Sequence, residues 1–162
     1  MTITLLLEQV FNGIQSGVTL FLVAAGLTLI LGIMDLVFLA HGAQVMIGAY
    51  AATGFTLLTG NFYLGIFLAI PLTFASGYLL EYLIIRHLYK RDHMEQVLAT
   101  FGLILFFNEL IRIGFGPAAL FSNLPPSLSG FVYILPETPY PVFRLIVIVV
   151  GLALAISIYI LV

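Results

Sequence analysis

Three polar side chains, Asp35, His41 and Gln44, stand close together in IMDLVFLAHGAQVMIGAY, Ile33 to Tyr50, with apolar sequence on both sides. An imidazole near a carboxylate can relay protons around neutral pH. Ionisable groups are costly inside a membrane and tend to mark solute or ion routes there. A second polar group, Asn108, Glu109 and Arg112, is spaced so that Arg112 reaches either partner at i+3 or i+4 on a helix. His41 stands alone in its span, so it has no metal-ligand set around it. With no Ser, His and Asp arrangement, phosphate-cradling Gly-Lys loop or nucleophile elbow, the chain is not expected to be an enzyme.

The elements that must position these residues follow from composition. Of 162 residues, 62% are hydrophobic and only 7% are Asp, Glu, Lys or Arg, and the mean hydropathy is +1.22. A soluble domain carries about 25% charged residues, so this chain reads as an all-α, multi-spanning membrane protein. Runs of about 18 or more apolar residues can each cross a hydrocarbon core as a helix. Five such spans are predicted, at about 8–31, 36–59, 62–85, 96–112 and 142–162, sharing one bilayer as a single transmembrane domain over 1–162. Gly32 is a plausible stop for the first helix, and Asp35 is placed to cap the start of the second. Gly60 and Asn61 form a turn signal, and Pro71 is expected to kink the third span.

The loop 86–95 is abruptly polar and holds Arg86, Lys90 and Arg91, while 116–141 is a loop with six of the seven prolines. Short basic loops stay on the cytoplasmic side. The 86–95 loop is therefore expected inside, with the N-terminus and the Pro-rich loop outside. Arg112 and Arg144 fall at predicted outer ends, where long side chains can snorkel to the head groups. No Lys or Arg precedes Arg86, so the first span lacks the basic region of a cleavable signal peptide. There is no cysteine, and a net charge of −2 gives no electrostatic case for nucleic acid.

At about 100° per residue, Ala40, His41, Gln44, Gly48 and Ala52 share one face of the second helix, with Met46, Ile47, Tyr50 and Leu57 opposite. The small, polar face has two readings: a seam for close helix packing, or a wall of a solute path. In the first helix, Gly13 and Gly17, then Ala24, Thr28 and Gly32, make a second small-residue seam. An interfacial ion pair is the simple reading of Glu109 with Arg112.

Two ordered motifs carry a resemblance. GLTLILGIMDLVFLAHGAQVMIGAY, Gly26 to Tyr50, places Ala40, His41, Gly42, Met46, Gly48, Ala49 and Tyr50 as in the permeases of branched-chain amino acid ABC importers, the LivH-type family. Glu81 with Arg86 in EYLIIRHLYKRD, followed by Leu98 to Pro117, supplies the second match. The resemblance implies a passive pathway subunit within an ABC-importer permease bundle. Its implied partners are a second related permease, two cytoplasmic ATPase subunits that hold ATP and Mg, and an extracytoplasmic substrate-binding protein. No cofactor is implied for this chain. Leucine, isoleucine and valine are the usual substrates, with urea, short amides and other amino acids carried by relatives. Phe38 stands where the family often has Asn, and His87 where it often has Pro.

Members of the family run to nearly twice this length, and the last span stays apolar to Val162 without a flanking anchor. The expectation is an N-terminal portion of a permease, an incomplete bundle. Two other classes stay open: an ion- or proton-coupled secondary transporter or channel using His41 with Asp35 or Glu109, and a truncated membrane partner that does not transport.

Overall fold

A computed structural model describes residues 3–135 and 138–161. Contacts group the chain into two compact units: Met1–Ala25 with Leu124–Val162, and Gly26–Asn123. Helix α1, Ile3–Met34, runs through the boundary between them. The chain continues with α2 (His41–Thr59), α3 (Phe62–Leu80), α4 (His93–Phe115) and α5 (Val142–Leu161). Among the described residues four stretches, Leu5–Met34, Phe62–Leu88, His93–Phe115 and Val142–Ile160, are long and apolar enough to cross a membrane, one fewer than the five predicted, with α2 not among them. The chain is thus an all-α integral membrane protein. Phe67, Phe74, Leu98 and Ile113 stand outward and exposed, the inverse of a water-soluble surface.

The second predicted span loses its first turn. The sequence reading starts it at residue 36, whereas α2 begins at His41 and has 19 residues, about 28 Å at 1.5 Å per residue. The cause lies in α1, which runs past Gly32 to Met34. Asp35 then adopts φ 47°, the left-handed region, and its N–H donates to the Leu31 carbonyl at 3.0 Å. That single bond is the αL helix stop, usually made by Gly but open to Asp and Asn. Asp35 therefore ends α1 and does not cap α2. The residue at the α2 N-cap position is Ala40, which supplies no side-chain hydrogen bond.

Elsewhere the punctuation follows the sequence. Gly60, at φ 65°, closes α2 through its N–H to the Thr56 carbonyl. The Asn61 side chain caps α3 by accepting from the N–H groups of Tyr63 and Leu64 at 3.0 and 3.4 Å. Asp92 caps α4 by accepting from the His93 N–H, and Gly116, at φ 86°, ends it. Pro71 lies inside the helical run of α3. The irregularity falls ten residues later, where Glu81–Ile85 forms a π turn before a last α turn at Arg86–Leu88. Such turns are rare, occur within α-helices and often lie at functional sites.

In the Gly26–Asn123 unit, Leu36, Phe38, Ala40, Ala43, Leu80, Ile85, Leu88, Leu103 and Phe107 form the core, with Met46 and Ile47 packed against it. Met46 and Ile47 of the bulky face of α2 thus pack against protein, while Leu57 of the same face is exposed. The small face of α2 packs on α3, where a Cβ on Gly65 would lie 2.7 Å from the Thr56 backbone nitrogen and 2.9 Å from its Cα. Only glycine permits this approach.

In the other unit, the Pro-rich segment is not all loop. Strands β1 (Phe131–Leu135) and β2 (Thr138–Pro141) pair antiparallel, with Phe131 opposite Pro141 and Val132 opposite Tyr140. Both strands are edges of a two-stranded sheet, so Pro139 and Pro141 are accommodated. Tyr140 is buried, its ring 5.4 Å from that of Phe11. Arg144 does not simply snorkel, because its guanidinium donates to the Asn12 side-chain oxygen, which also accepts from the Tyr140 hydroxyl. Among the described residues, a Cβ added at Gly13, Gly17 or Gly32 would meet nothing within 4 Å.

Candidate solute-facing cavity

The polar face of α2 is divided between two neighbours. At its first turn the His41 ring lies against α1, so that a Cβ on Gly26 would sit 2.9 Å from Nε2. One turn on, the Gln44 side-chain oxygen accepts from the Ser76 hydroxyl of α3 at 3.3 Å. A Cβ on Gly48 would lie 3.5 Å from the Thr73 side chain, at ordinary contact distance. The Thr73 and Ser76 hydroxyls also bond back to the carbonyls of Ala69 and Thr73 in their own helix, the usual way such groups are satisfied within a helix.

His41 and Gln44 do more than pack. They border a cavity of about 220 Å³ whose wall also includes Ile30 and Met34 of α1, Leu36 and Phe38 of the connecting segment, and Gly77, Glu81 and Ile85. Seam and cavity wall coexist on one helix face. Glu81, the first residue of the π turn, supplies the carboxylate of this site, while Asp35 is exposed and does not line it. Phe38 is 4% exposed and belongs to both the core and the cavity wall.

Glu81 and Arg86, paired in the sequence motif, do not form an ion pair. The two side chains have different partners. The Glu81 Oε1 accepts from the Tyr89 hydroxyl at 3.5 Å, whereas the Arg86 guanidinium lies 4.8 Å from the centre of the Tyr82 ring, a cation–π contact. Partial burial, then the charge and hydrogen bond of Glu81, push the Tyr89 phenol above its ordinary value.

The segment 35–40 is held from the side by α4, a feature with no signal in the sequence motifs. Gln96, 2% exposed, accepts from the Val37 N–H through Oε1 at 3.1 Å. Its Nε2 donates to the carbonyls of Leu88 and Arg91 at 3.2 and 3.1 Å. One amide thus ties the α1–α2 connection to the turn after α3. Thr100, also buried, directs its hydroxyl to the Gln96 carbonyl at 2.8 Å and to that of Val37 at 3.4 Å. A Gln at the predicted start of a span gave the only hint.

The remaining sequence candidates lie elsewhere. Glu109 and Arg112 form an exposed ion pair at 3.4 Å, and Asn108 is exposed beside them. Ala49 and Tyr50 border a second hollow of about 210 Å³ with Thr53, Ala119 and Leu120, and the Tyr50 ring packs 5.2 Å from that of Phe115. Ala52 is half-buried on the α2 face. His93 directs Nδ1 toward the Gln96 oxygen at 3.4 Å, while His87 is exposed.

Residues 9–162 match the family described as branched-chain amino acid transport system, permease component. Among similar curated proteins is the high-affinity branched-chain amino acid transport system permease LivH of Escherichia coli K12, 28% identical over 120 residues. BraD of Pseudomonas aeruginosa, bearing the same description, is 31% identical over 116 residues. Each alignment covers 66% of this chain and 38% of the relative, so the chain spans well under half of the relatives' length. No solved structure matches the chain. With the family match covering most of its length and helices suited to a bilayer, the chain is a multi-pass protein of the cell membrane and belongs to the family of branched-chain amino acid transport system permease components.

Proposed function

We propose that this chain is a passive, solute-conducting subunit of an ATP-driven importer of branched-chain amino acids. The observation that carries this reading is the family match over residues 9–162, supported by a largely apolar cavity bordered by His41, Gln44 and Glu81 within the Gly26–Asn123 unit. On this reading a second related permease completes the pathway. Two cytoplasmic ATPase subunits bind ATP and Mg and hydrolyse the nucleotide, and an extracytoplasmic binding protein delivers the solute.

The basic 86–91 segment supports a cytoplasmic position for the cavity end of the unit. Gln96 joins that segment to the α1–α2 connection, so both belong to the same end. The cavity would then be a late station on an inward route. The test is uptake of labelled leucine by vesicles containing this chain and its partners. Uptake should require hydrolysis-competent ATPases and survive a proton uncoupler. Uptake that collapses with the proton gradient, and with His41→Ala, would instead identify an ion-coupled carrier.

A further inference from the structure

Between Arg112 and Glu137 the sequence holds no Asp, Glu, Lys, Arg or His. A connection running through water carries charge as a rule, since about a quarter of the residues in soluble domains are charged. What this one turns outward is apolar. Phe131 is 61% exposed and Val132 43%, and as neighbours in strand β1 they point to opposite faces of the hairpin. Both faces of β1 thus present a large apolar side chain. Phe121 and Leu124, earlier in the same uncharged run, are exposed as well.

The depth of the hairpin is set at its base. Pro141, opposite Phe131, leads directly into α5, and the Val142 N–H donates to the Gly130 carbonyl at 3.0 Å. Arg144, in the first turn of α5, and Tyr140 both donate to the Asn12 side-chain oxygen. A guanidinium is costly in hydrocarbon, and the described helix beyond Arg144 holds no Asp, Glu, Lys or Arg. Arg144 therefore marks the level at which α5 enters the membrane core. The hairpin cannot lie deeper than that level. Each of its two strands is an edge with one row of N–H and C=O groups unpaired by the other, and hydrocarbon offers those groups no partner. Bulk water, in turn, leaves Phe131 and Val132 hydrated at a cost. The layer of head groups and upper acyl chains meets both demands.

We propose that the β1–β2 hairpin lies in the interfacial layer of the bilayer, with Phe131 and Val132 among the glycerol groups and upper acyl chains of phospholipids and Arg144 at the head groups. Its partner is a lipid surface. A docking protein would find no charge on β1 to fix its register, whereas lipid needs none. This placement is independent of which solute the chain conducts.

The sequence contains no Trp and no Cys, so one introduced Trp is the sole indole. The test reconstitutes the full chain in phosphatidylcholine vesicles as Phe131→Trp. Leu154→Trp, at an exposed position about 15 Å beyond Arg144 at 1.5 Å per residue, serves as the deep reference. Phe131→Trp should lose more emission to lipid brominated near the top of the acyl chain than to lipid brominated near its end, and Leu154→Trp should show the reverse order. Loss to aqueous iodide without loss to brominated lipid would make the hairpin a water-exposed loop and overturn the proposal. Loss to neither would mean that protein covers it, and stronger loss to the deep bromines would mean a re-entrant segment; each overturns the proposal as well. If Phe131→Trp does not insert, Val132→Trp, on the other face of β1, must show the shallow pattern, and any other pattern there overturns the proposal.

Discussion

The backbone N–H of Val37 donates to the side-chain oxygen of Gln96, 59 residues later in the chain, at 3.1 Å. Val37 lies in the non-helical segment between α1 and α2, where the N–H has no helical partner. Gln96 stands one turn into α4 and turns its own N–H₂ to the Leu88 and Arg91 carbonyls. A single buried amide thus fixes where α2 begins, and with it the position of His41.

Removing that amide should be costly. Gln96→Ala leaves the Val37 N–H and two carbonyls without this partner, at about 1–3 kcal/mol for each group that stays buried and unsatisfied. A loss of about 3 kcal/mol is expected in detergent unfolding followed by circular dichroism. Gln96→Glu keeps the acceptor for Val37 but sets a buried carboxylate oxygen against the Leu88 and Arg91 carbonyls, so it should cost at least as much as Gln96→Ala. An unchanged Gln96→Ala midpoint would show that water replaces the amide.

Asp35 distinguishes a helix stop from a cap. Because its role rests on φ 47°, Asp35→Gly should be tolerated, with stability within about 0.5 kcal/mol of wild type. Asp35→Val forces a β-branched residue into the left-handed region and should cost about 1–2 kcal/mol. Were Asp35 an N-cap, losing its carboxylate to Ala would cost about 1 kcal/mol and Val would be no worse than Ala. Thermal unfolding of the Gly, Ala and Val variants separates the two patterns.

Gly65 and Gly102 offer a matched pair. A Cβ at Gly65 would collide with the Thr56 backbone, whereas one at Gly102 meets nothing within 4 Å. Gly65→Ala should separate α2 from α3 at about 1–3 kcal/mol or more, lowering the yield of folded protein. Gly102→Ala should be neutral or raise stability by up to about 1 kcal/mol through helix propensity. Fluorescence-detected size-exclusion chromatography with a heating step reads both.

The Tyr89 phenol should titrate above the ordinary value of about 10, held up by partial burial and by Glu81. The folded state therefore keeps its proton more tightly than the unfolded chain. The resulting stabilisation is complete below the unfolded value near 10 and is lost as pH rises through the folded value. Ultraviolet difference titration of wild type against Tyr89→Phe isolates this group. Glu81→Gln should lower the midpoint by removing the neighbouring charge, and an unmoved midpoint would mean that burial alone sets it.

The helical, membrane-embedded character was legible from composition because a bilayer accepts few other sequences or backbones. Gly60, Asn61 and Gly116 were legible because a turn or cap is decided within a few residues. Asp35 was read as the wrong kind of terminus because a short acidic residue between two helices suits either, and only φ distinguishes them. The hairpin at 131–141 was hidden by its prolines, which are compatible with an edge strand as well as a loop.

Residue type and spacing by themselves determined that His41, Gln44 and Gly48 share a helix face and that Glu81 and Arg86 lie close along the chain, since helix periodicity is a local property. Tertiary structure alone decided that Glu81, and not Asp35, joins His41 and Gln44 around a cavity. It also decided that Arg86 turns away to Tyr82 and that Gln96 holds the start of α2. Those relationships depend on the π turn and on contacts between helices distant in sequence, and neither follows from the repeat of a single helix.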